Sequence, residues 1–501
     1  MPSASPMPDQ QQLDQQQPDQ QQYLQDVRRA LPAHTIIYDP RHMAVYETDG
    51  LTAKKQKPWL VLLPETIEQV QAAMRLAHGH GIPVVARGAG TGLSGGAMPH
   101  PDGILLSLAR FNRILAVDED NLSAVVQPGV TNLSITEHVR DRGLYYAPDP
   151  SSQIACSIGG NVAENSGGVH CLKYGLTVHN VLKLKLVSPE GEIYEVGADS
   201  LDAPGFDLLA LLHGSEGMLG IVVEVTVKLL PKPGAIVVFL AGFDSVSRAG
   251  ESVGAIIAEG IVPAGLEMMD KMAVEAAEAF VKVGYPLAAE ALLLCELDGA
   301  ALEVESQLAR LEALMTRCGA TSFKVARSQS ERDLLWKGRK AAFPAVGRIA
   351  PDYYCMDGTI PRRELGAVLD EIAALSRRFE LAVANVFHAG DGNLHPLILF
   401  DANKPGETDR AEALGAAILE LCIERGGTIT GEHGVGVEKI DQMCVQFTDD
   451  ELAMFHDVKA AFDESGILNP GKAVPTLNRC AEFGAMHVHA GNEKFPGLER
   501  F

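Results

Sequence analysis

A glycine-rich loop in the N-terminal part of the chain constrains the fold more than any other feature. Gly90–Gly95 satisfies the pattern G-x-G-x-x-G and follows the strand-like stretch Pro83–Ala86. In a Rossmann fold this pattern must open a helix whose N-terminus binds the pyrophosphate of a dinucleotide. Here the turn-forming sequence Met98–Gly103 comes next, and a strand pattern follows at Ile104–Leu108. The sequence therefore excludes a Rossmann domain, although successive N–H groups of the loop can still form an anion-binding nest.

Further glycine-rich or turn-rich segments follow in the same half of the chain. Pro148–Gln153 precedes Ser157–Gly168, which combines two Gly-Gly pairs with neutral hydrogen-bonding side chains. Gly214–Ile221 then leads into a strand pattern at Val222–Val227. Neutral donors of this kind are suitable for lining a pocket that holds a planar polar ring. Together with the first loop, these segments predict an extended ligand that contains both a pyrophosphate and a ring system.

A cluster of potential metal ligands lies in the second half. His388 and His395 frame a glycine-rich segment, and Glu432 is followed by His433 and Gly434. Two imidazoles and one carboxylate are donors that a catalytic divalent metal prefers, with coordination positions left open. Histidines can also be simple core or surface residues, but glycines this close to the donors indicate that the backbone approaches a ligand. The motifs therefore favour a metal site.

Composition excludes several classes of partner. The formal net charge of −23 argues against binding nucleic acid or an anionic membrane surface. No apolar run is long enough for a transmembrane segment, and no signal peptide is expected. The 8 cysteines include no C-x-x-C pair, which favours reduced cytosolic thiols and excludes the usual iron–sulfur pattern.

The order of strand and helix patterns indicates an α+β protein with two main parts. Residues 1–22 are rich in Gln, Pro and Asp and are expected to be disordered. Pro64–Thr66 opens an amphipathic helix pattern, and short strands separated by glycine-rich loops follow. Two prolines and a glycine in Pro231–Gly234 mark a boundary, beyond which strand patterns alternate with long amphipathic helices.

Several of these motifs, in this order, resemble one flavoprotein superfamily. Arg87–Gly96, Gly159–Asn161 and Gly214–Gly217 are similar to the FAD domain of p-cresol methylhydroxylase and vanillyl-alcohol oxidase. The His388–His395 and Glu432-His433 motifs, with Asn469–Lys472, resemble the FAD-linked oxidase C-terminal domain. Ala147–Val181, Asn385–Ala402 and the tail Arg479–Phe501 resemble more narrowly the FAD-binding catalytic subunits of bacterial glycolate oxidases.

The resemblance implies a domain organisation and a cofactor site. An FAD-binding domain is expected over residues 23–233 and a substrate and metal domain over 234–475. Residues 445–475 would return to the FAD side, and 476–501 would form a tail. No His lies within the first loop, so FAD is expected to be noncovalent. The implied FAD contacts are Arg87, Gly88, Ala89, Gly90, Thr91, Gly92, Ser94, Gly95, Pro148, Asp149, Ser152, Gly159, Gly160, Asn161, Asn165, Gly167, Gly168, Glu216, Gly220, Ile221 and Asn469.

The resemblance also implies roles in catalysis. His388, His395 and Glu432 match the ligands of a divalent metal, either zinc or manganese or iron, in related 2-hydroxyacid dehydrogenases. His433 matches their general base, and Arg339 matches the residue that binds the substrate carboxylate.

Two departures from those relatives indicate the substrate. Enzymes that act on 2-hydroxyglutarate have Lys where this chain has Cys355, and Asn where it has Leu397. Those groups would bind a distal carboxylate, so their replacement favours a short monocarboxylate. The expected reaction is oxidation of glycolate to glyoxylate, with D-lactate as the alternative substrate.

Partners and location are expected from the same resemblance. Because the chain lacks cluster ligands, a second FAD-domain subunit and an iron–sulfur subunit would accept its electrons. The protein would be cytoplasmic, or peripheral on the inner membrane through those subunits. An alternative of another class is a non-catalytic flavoprotein subunit that relays electrons or supports assembly.

Overall fold

A computed structural model describes residues 18–200, 205–476 and 479–480. Helices and strands are both abundant, and antiparallel strands predominate, which confirms the expected α+β class. Three larger sheets organise the chain. Two of them precede Ala235, and the third is built entirely from later residues.

The first sheet carries the glycine-rich loop at Arg87–Gly96. Its order is β1-β2-β4-β3, with β2, β4 and β3 parallel and β1 antiparallel to β2. Apolar side chains from the helices Pro18–Ala30 and Ile67–His80 pack on it in one core cluster. The strands are β1 (Ile36–Ile37), β2 (Leu60–Leu62), β3 (Val84–Arg87) and β4 (Ile104–Ser107).

The N-terminal boundary differs from the expectation. Residues 18–22, expected to be disordered, form the start of the helix Pro18–Ala30, while residues 1–17 lie outside the described part of the chain. Proline is well suited to a first helical position, because its missing N–H is not needed there. Tyr23 and Val27, one turn apart, are fully buried and hold the helix against the sheet. The Gln-rich composition concealed this short amphipathic stretch.

The second sheet is antiparallel, with the order β5-β6-β10-β8-β9. Alternating residues of β10 are buried, which is why the apolar pattern at Val222–Val227 predicted a strand. The strands are β5 (Ile114–Asp118), β6 (Ser123–Val126), β8 (Val181–Val187), β9 (Ile193–Gly197) and β10 (Ile221–Lys228), and a separate pair joins β7 (Leu144–Tyr145) to β11 (Leu230–Pro231). The helices of this region are Pro40–Met43, Asn132–Val139, Ile158–Glu164, Cys171–Tyr174 and Leu208–Leu212.

The third sheet has seven strands in the order β15-β12-β14-β13-β17-β18-β16, and all neighbours are antiparallel. Two core clusters cover its faces, since Val383 and Phe387 of β17 join one and Ala384 and Val386 join the other. The strands are β12 (Ala235–Phe243), β13 (Gly265–Asp270), β14 (Ala291–Gly299), β15 (Ser322–Ala326), β16 (Asp352–Cys355), β17 (Ala382–His388) and β18 (Pro396–Phe400). The helices are Val246–Ala258, Lys271–Val281, Ala301–Arg317, Gln329–Val346, Leu365–Phe379, Glu407–Glu424, Ile440–Gln446 and Asp449–Phe462.

The end of the described chain crosses back to the first sheet. The Val84 N–H donates to the carbonyl of Ile467 at 2.7 Å, and the Asn469 N–H donates to the carbonyl of Val84 at 2.8 Å. Residues near the C-terminus thereby extend the sheet that carries the first glycine-rich loop.

One disulfide corrects the expectation that all cysteines are reduced. Cys444 and Cys480 are bonded, and their Cα atoms lie 5.3 Å apart. Both are buried, and their separation of 36 residues leaves no local C-x-x-C signal in the sequence. Of the expected tail at 476–501, only residues 476, 479 and 480 belong to the described part of the chain. No described helix has the length and apolar character needed to cross a bilayer.

Candidate active site

The hairpin that joins β17 to β18 positions two histidines. His388 is the last residue of β17, and His395 immediately precedes β18. Their ring centres lie 5.0 Å apart. Inside the turn, the Asn393 N–H donates to the Asp391 carboxylate at 3.1 Å. The Asp391 carboxylate therefore stabilises the turn between the two histidines.

Glu432 brings the two histidines into one cluster. Its Oε1 atom lies 3.3 Å from His388 Nε2 and 3.0 Å from His395 Nε2. The three side chains are nearly buried, with exposed fractions of 4%, 3% and 10%. All three donor atoms lie within 4.8 Å of one another, as a shared divalent cation requires. The donor set therefore fits such an ion.

Asp357 holds the loop that carries Glu432. Its carboxylate accepts the backbone N–H groups of Gly431, Glu432 and His433, and Lys439 Nζ lies 3.0 Å away. Burial alone would raise the pKa of Asp357, but His433 and Lys439 together hold that pKa well below its usual range. Sequence reasoning missed Asp357. Its only signal is an acidic residue followed by glycine in Met356–Thr359.

His433 lies beside the cluster, with its ring stacked on that of His395. The ring centres are 4.9 Å apart and the planes differ by 9°. Burial lowers the pKa of His433 to about 4, and the His433 Nδ1 atom has no hydrogen-bond partner. The imidazole is therefore neutral near pH 7 and keeps a nitrogen available for a proton.

Arg339 and Glu267 form a buried ion pair next to His388. Arg339 NH2 lies 2.6 Å from Glu267 Oε2, and His388 Nδ1 lies 2.7 Å from Glu267 Oε1. Arg339 is not one of the residues that line the cavity described below, whereas Phe343, one turn further along the same helix, is. Sequence reasoning missed Glu267, although a carboxylate among the apolar residues of Gly265–Met269 is an unusual strand residue.

A cavity of about 420 Å³ connects the glycine-rich loops to this cluster. His395, Glu432 and His433 form one end of its wall. Gly88 shows why glycine is needed in the wall, because a Cβ atom there would lie 2.1 Å from Ser157 Oγ. The residues expected to contact FAD that do line the cavity are Arg87, Gly88, Ala89, Gly90, Thr91, Gly92, Ser152, Gly159, Gly160, Asn161, Glu216 and Gly220.

The other residues expected to contact FAD lie outside the cavity lining, and their contact with FAD stays a prediction. These are Ser94, Gly95, Pro148, Asp149, Asn165, Gly167, Gly168, Ile221 and Asn469. The Ser94 carbonyl accepts the Val437 N–H at 2.9 Å, so this part of the loop contacts the second domain. Asn469 Nδ2 donates to the carbonyls of Gly96 and Glu216, which places Asn469 behind the wall as a support.

Three hydrogen bonds tie the glycine-rich half directly to the Glu432 loop. The Gly167 N–H donates to Glu432 Oε2 at 2.9 Å. Glu216 accepts the N–H groups of Val435 and Gly436, both at 2.7 Å. These bonds fix the loop that carries Glu432 and His433 against the cavity.

Glu164 is a cavity residue that the expectations did not include. Burial, and then the neighbouring carboxylate of Glu216, raise the pKa of Glu164 well above its ordinary value. The Glu164 Oε2 atom has no hydrogen-bond partner. Both effects favour the protonated form of the Glu164 carboxyl, which can donate a hydrogen bond into the cavity.

His170 joins the two halves of the chain away from the cavity. Its Nδ1 lies 2.9 Å from Asp149 of the glycine-rich half, and its Nε2 lies 3.1 Å from Glu296 of β14. Trp336 also donates to Glu296, at 2.6 Å. Burial by itself would lower the pKa of His170, but the two carboxylates raise it well above the ordinary value. His170 is therefore a charged link between the halves near neutral pH.

Replacing His170 by glutamine is expected to lower thermal stability more at low pH than at high pH. Because the folded-state pKa is raised, the stabilisation is complete below the unfolded pKa of about 6.5 and is lost as pH rises through the folded pKa. We expect a loss of about 2 kcal/mol at about pH 6, measured by thermal unfolding, and a smaller loss at about pH 9.

The control for this prediction is His34→Gln. His34 pairs with Glu65 on the surface, where its side chain is 60% exposed, so the substitution should change the melting temperature little. An equal loss of stability in His170→Gln at both pH values would contradict the charged link.

Two families match the chain. Residues 58–197 match the FAD binding domain, and residues 232–473 match the C-terminal domain of FAD linked oxidases. The glycolate oxidase subunit GlcD of Escherichia coli (strain K12) is 61% identical over 478 residues, which cover 95% of this chain and 96% of that protein.

A D-lactate dehydrogenase and a solved structure share lower sequence identity with this chain. The D-lactate dehydrogenase of Anaerostipes hadrus is 32% identical and covers 89% of this chain and 94% of its own length. The crystal structure of p-cresol methylhydroxylase with substrate bound superposes with a TM-score of 0.79 at 15% identity, over 93% of this chain and 99% of that one. The latter similarity confirms the expected fold.

Proposed function

Because the chain belongs to the FAD-linked oxidase family that includes the glycolate oxidase subunit GlcD of Escherichia coli, we propose that it oxidises glycolate to glyoxylate with FAD. The observation that carries this proposal is the buried cluster of His388, His395 and Glu432 at one end of a glycine-lined cavity. A redox cofactor and a hydroxy acid could meet there.

The residues present fit noncovalent FAD. Backbone N–H groups of Gly88–Gly92 can form an anion-binding nest for the pyrophosphate, and Gly159–Asn161 offer a close backbone approach with neutral donors. The Glu164 carboxyl has an unpartnered Oε2 atom at the cavity wall, and its raised pKa favours the protonated form, which would be a further donor. Bound FAD would supply the acceptor for the hydride that leaves C2 of the substrate.

A divalent metal fits the His388, His395 and Glu432 set. Two imidazole nitrogens and one carboxylate suit zinc, and also manganese or iron, while leaving positions for a substrate. Such an ion would act as a Lewis acid that makes the substrate hydroxyl more acidic.

The chain's own residues would bind the substrate and move its proton. We assign the substrate carboxylate to the guanidinium of Arg339, whose Nε atom has no hydrogen-bond partner. His433, neutral and with a free Nδ1, would accept the hydroxyl proton. With the proton taken by His433 and the hydride by the cofactor, the alcohol becomes a carbonyl.

A short monocarboxylate suits the region around β16 and β18. Cys355 and Leu397 are register partners in these strands, and both are buried. They occupy the two positions where relatives that act on 2-hydroxyglutarate have Lys and Asn. A second carboxylate would therefore meet a thiol and an apolar side chain, which supports glycolate over a dicarboxylate.

Anaerobic titration of the purified protein tests the proposal. Glycolate should bleach the flavin absorbance, and 2-hydroxyglutarate should not. The D-lactate dehydrogenase relative favours D-lactate as the second candidate, so kcat/KM for the two acids should be compared. Failure of every 2-hydroxy acid to bleach the flavin would instead support a non-catalytic electron-relay or assembly subunit.

We also propose that the protein works in a complex. The relative GlcD is named as a subunit, and this chain has no C-x-x-C pair for a cluster of its own. Candidate partners are a second FAD-domain subunit and an iron–sulfur subunit, assembled in the cytoplasm or peripherally at the inner membrane. Co-purification at native expression, followed by iron analysis, tests this assembly. Recovery of the chain alone would contradict it.

A further inference from the structure

Glu267 uses both oxygens of one carboxylate to connect two parts of the candidate site. Its strand, β13, pairs with β17 so that Glu267 and His388 are direct register partners. Oε1 lies 2.7 Å from His388 Nδ1, and Oε2 lies 2.6 Å from Arg339 NH2. Glu267 is 1% exposed, so water does not compete for either contact.

The contact with His388 determines which ring nitrogen is free. Because Glu267 engages Nδ1, the Nε2 atom is the one that points to Glu432 at 3.3 Å. A carboxylate bonded to the far nitrogen of a metal-binding histidine fixes the tautomer and the orientation of the ring, and its loss typically weakens metal binding by about 10–100-fold.

The contact with Arg339 orients the guanidinium. Arg339 is 3% exposed, and its NH2 group is held by Glu267. Its Nε atom, also buried, has no hydrogen-bond partner. A buried guanidinium donor left unpaired is costly unless a ligand completes it. One side of the Arg339 guanidinium is thus positioned by Glu267, and its Nε donor has no hydrogen-bond partner.

We propose that Glu267 is a positioning residue that sets the separation between the metal site and the substrate-carboxylate site. The inference rests on the proposed function for those two sites. One rigid planar group contacts both, so neither can shift without the other. A fixed separation would accept only one spacing between the carboxylate and the hydroxyl of the substrate, and in the proposed substrate the hydroxyl is on the carbon next to the carboxylate. Glu267 would therefore select 2-hydroxy acids over 3-hydroxy acids, which contain one more carbon between the two groups.

Two substitutions separate the charge of Glu267 from its length. Glu267→Gln keeps the shape but loses the charge that pairs with Arg339, so it should lose metal about 10–100-fold more readily to a chelator and should raise KM for glycolate. Glu267→Asp keeps the charge but is one methylene shorter. A displacement of about 1 Å can cost about 10²-fold in rate, so kcat/KM for glycolate should fall by that order.

The measurement for Glu267→Asp is the ratio of kcat/KM for glycolate to that for 3-hydroxypropionate, alongside metal content and the flavin spectrum. Because only the 2-hydroxy acid depends on the original separation, this ratio should fall by about tenfold or more. The matched control is Glu224→Gln, a strand carboxylate 3.0 Å from Lys185 in the second sheet, which should change neither metal content nor the ratio.

Two results would overturn the inference. One is Glu267→Gln with wild-type metal retention and wild-type KM. The other is a Glu267→Asp protein in which the ratio of kcat/KM for glycolate to that for 3-hydroxypropionate is unchanged. This second result is decisive even if Glu267→Gln does not fold. A failure of the proposed function itself is recognised separately, because the wild-type flavin would then not be bleached by glycolate.

Discussion

The Glu432→Ala protein is expected to lose its divalent ion and to reduce flavin with glycolate on the order of 10³-fold more slowly than wild type. Glu432 Oε1 is the atom shared by His388 and His395, at 3.3 and 3.0 Å, so its removal leaves only two imidazole donors. A Lewis acid contributes several kcal/mol to such a reaction, which converts to a rate effect of this size.

Elemental analysis and stopped-flow reduction of the flavin measure the two effects in the same preparation. Glu305→Ala is a suitable control, because this carboxylate pairs with Arg327 on the surface of the same domain. A retained flavin spectrum shows that the cavity is intact despite the lost bond from Gly167. A Glu432→Ala protein that keeps the ion at the wild-type stoichiometry would rule out Glu432 as a ligand.

Local sequence could predict those parts of the site whose residues all lie in one short stretch of the chain. The His388–His395 hairpin combines donors, glycines and a turn within a few residues, and the glycine-rich loops follow strands whose apolar alternation is visible in the sequence. The break at Pro231–Gly234 is similarly local. It precedes β12, which is the first strand of the seven-stranded sheet in chain order.

The residues that support the site could not be predicted in this way, because their partners are distant along the chain. Glu267 bonds His388 over a separation of 121 residues, and Asp357 bonds Glu432 over 75. The first contact depends on sheet register and the second on how two distant loops meet, and a single sequence reveals neither. The hydrogen bonds that Ser94 and Asn469 make with Val437, Gly96 and Glu216 likewise join residues that are far apart in the sequence.

The N-terminal helix and the disulfide were missed for related reasons. Among the residues of the helix Pro18–Ala30 whose burial is described, Tyr23 and Val27 are the fully buried apolar ones. Two such positions make too short an apolar pattern to predict a helix in a Gln-rich segment. The Cys444–Cys480 bond joins a helix to a segment near the end of the described chain. Neither cysteine carries a local sequence signal for this pairing.

The His433→Ala protein is expected to keep its metal and flavin while kcat falls by about 10²–10⁴-fold, the typical contribution of a positioned general base. His433 is next to Glu432 in the sequence, but its Nε2 atom lies 3.9 Å from Glu432 Oε1. That distance is longer than those from His388 and His395 to the same oxygen. The His433 ring instead stacks on His395 at the cavity wall, with Nδ1 unpartnered. Removing it should therefore leave the metal in place and eliminate only the proton acceptor.

Single-turnover reduction of the flavin, with KM measured in parallel, tests this assignment. A loss confined to kcat, with metal content unchanged, identifies an interaction made in the transition state. Added imidazole should restore part of the rate, because the vacated space opens on the cavity. His138→Ala, a substitution on an exposed helix surface, is the control for general effects of losing a histidine. Near-wild-type kcat in His433→Ala would show that another group accepts the proton, and Glu432 alone would then be the functional residue of this loop.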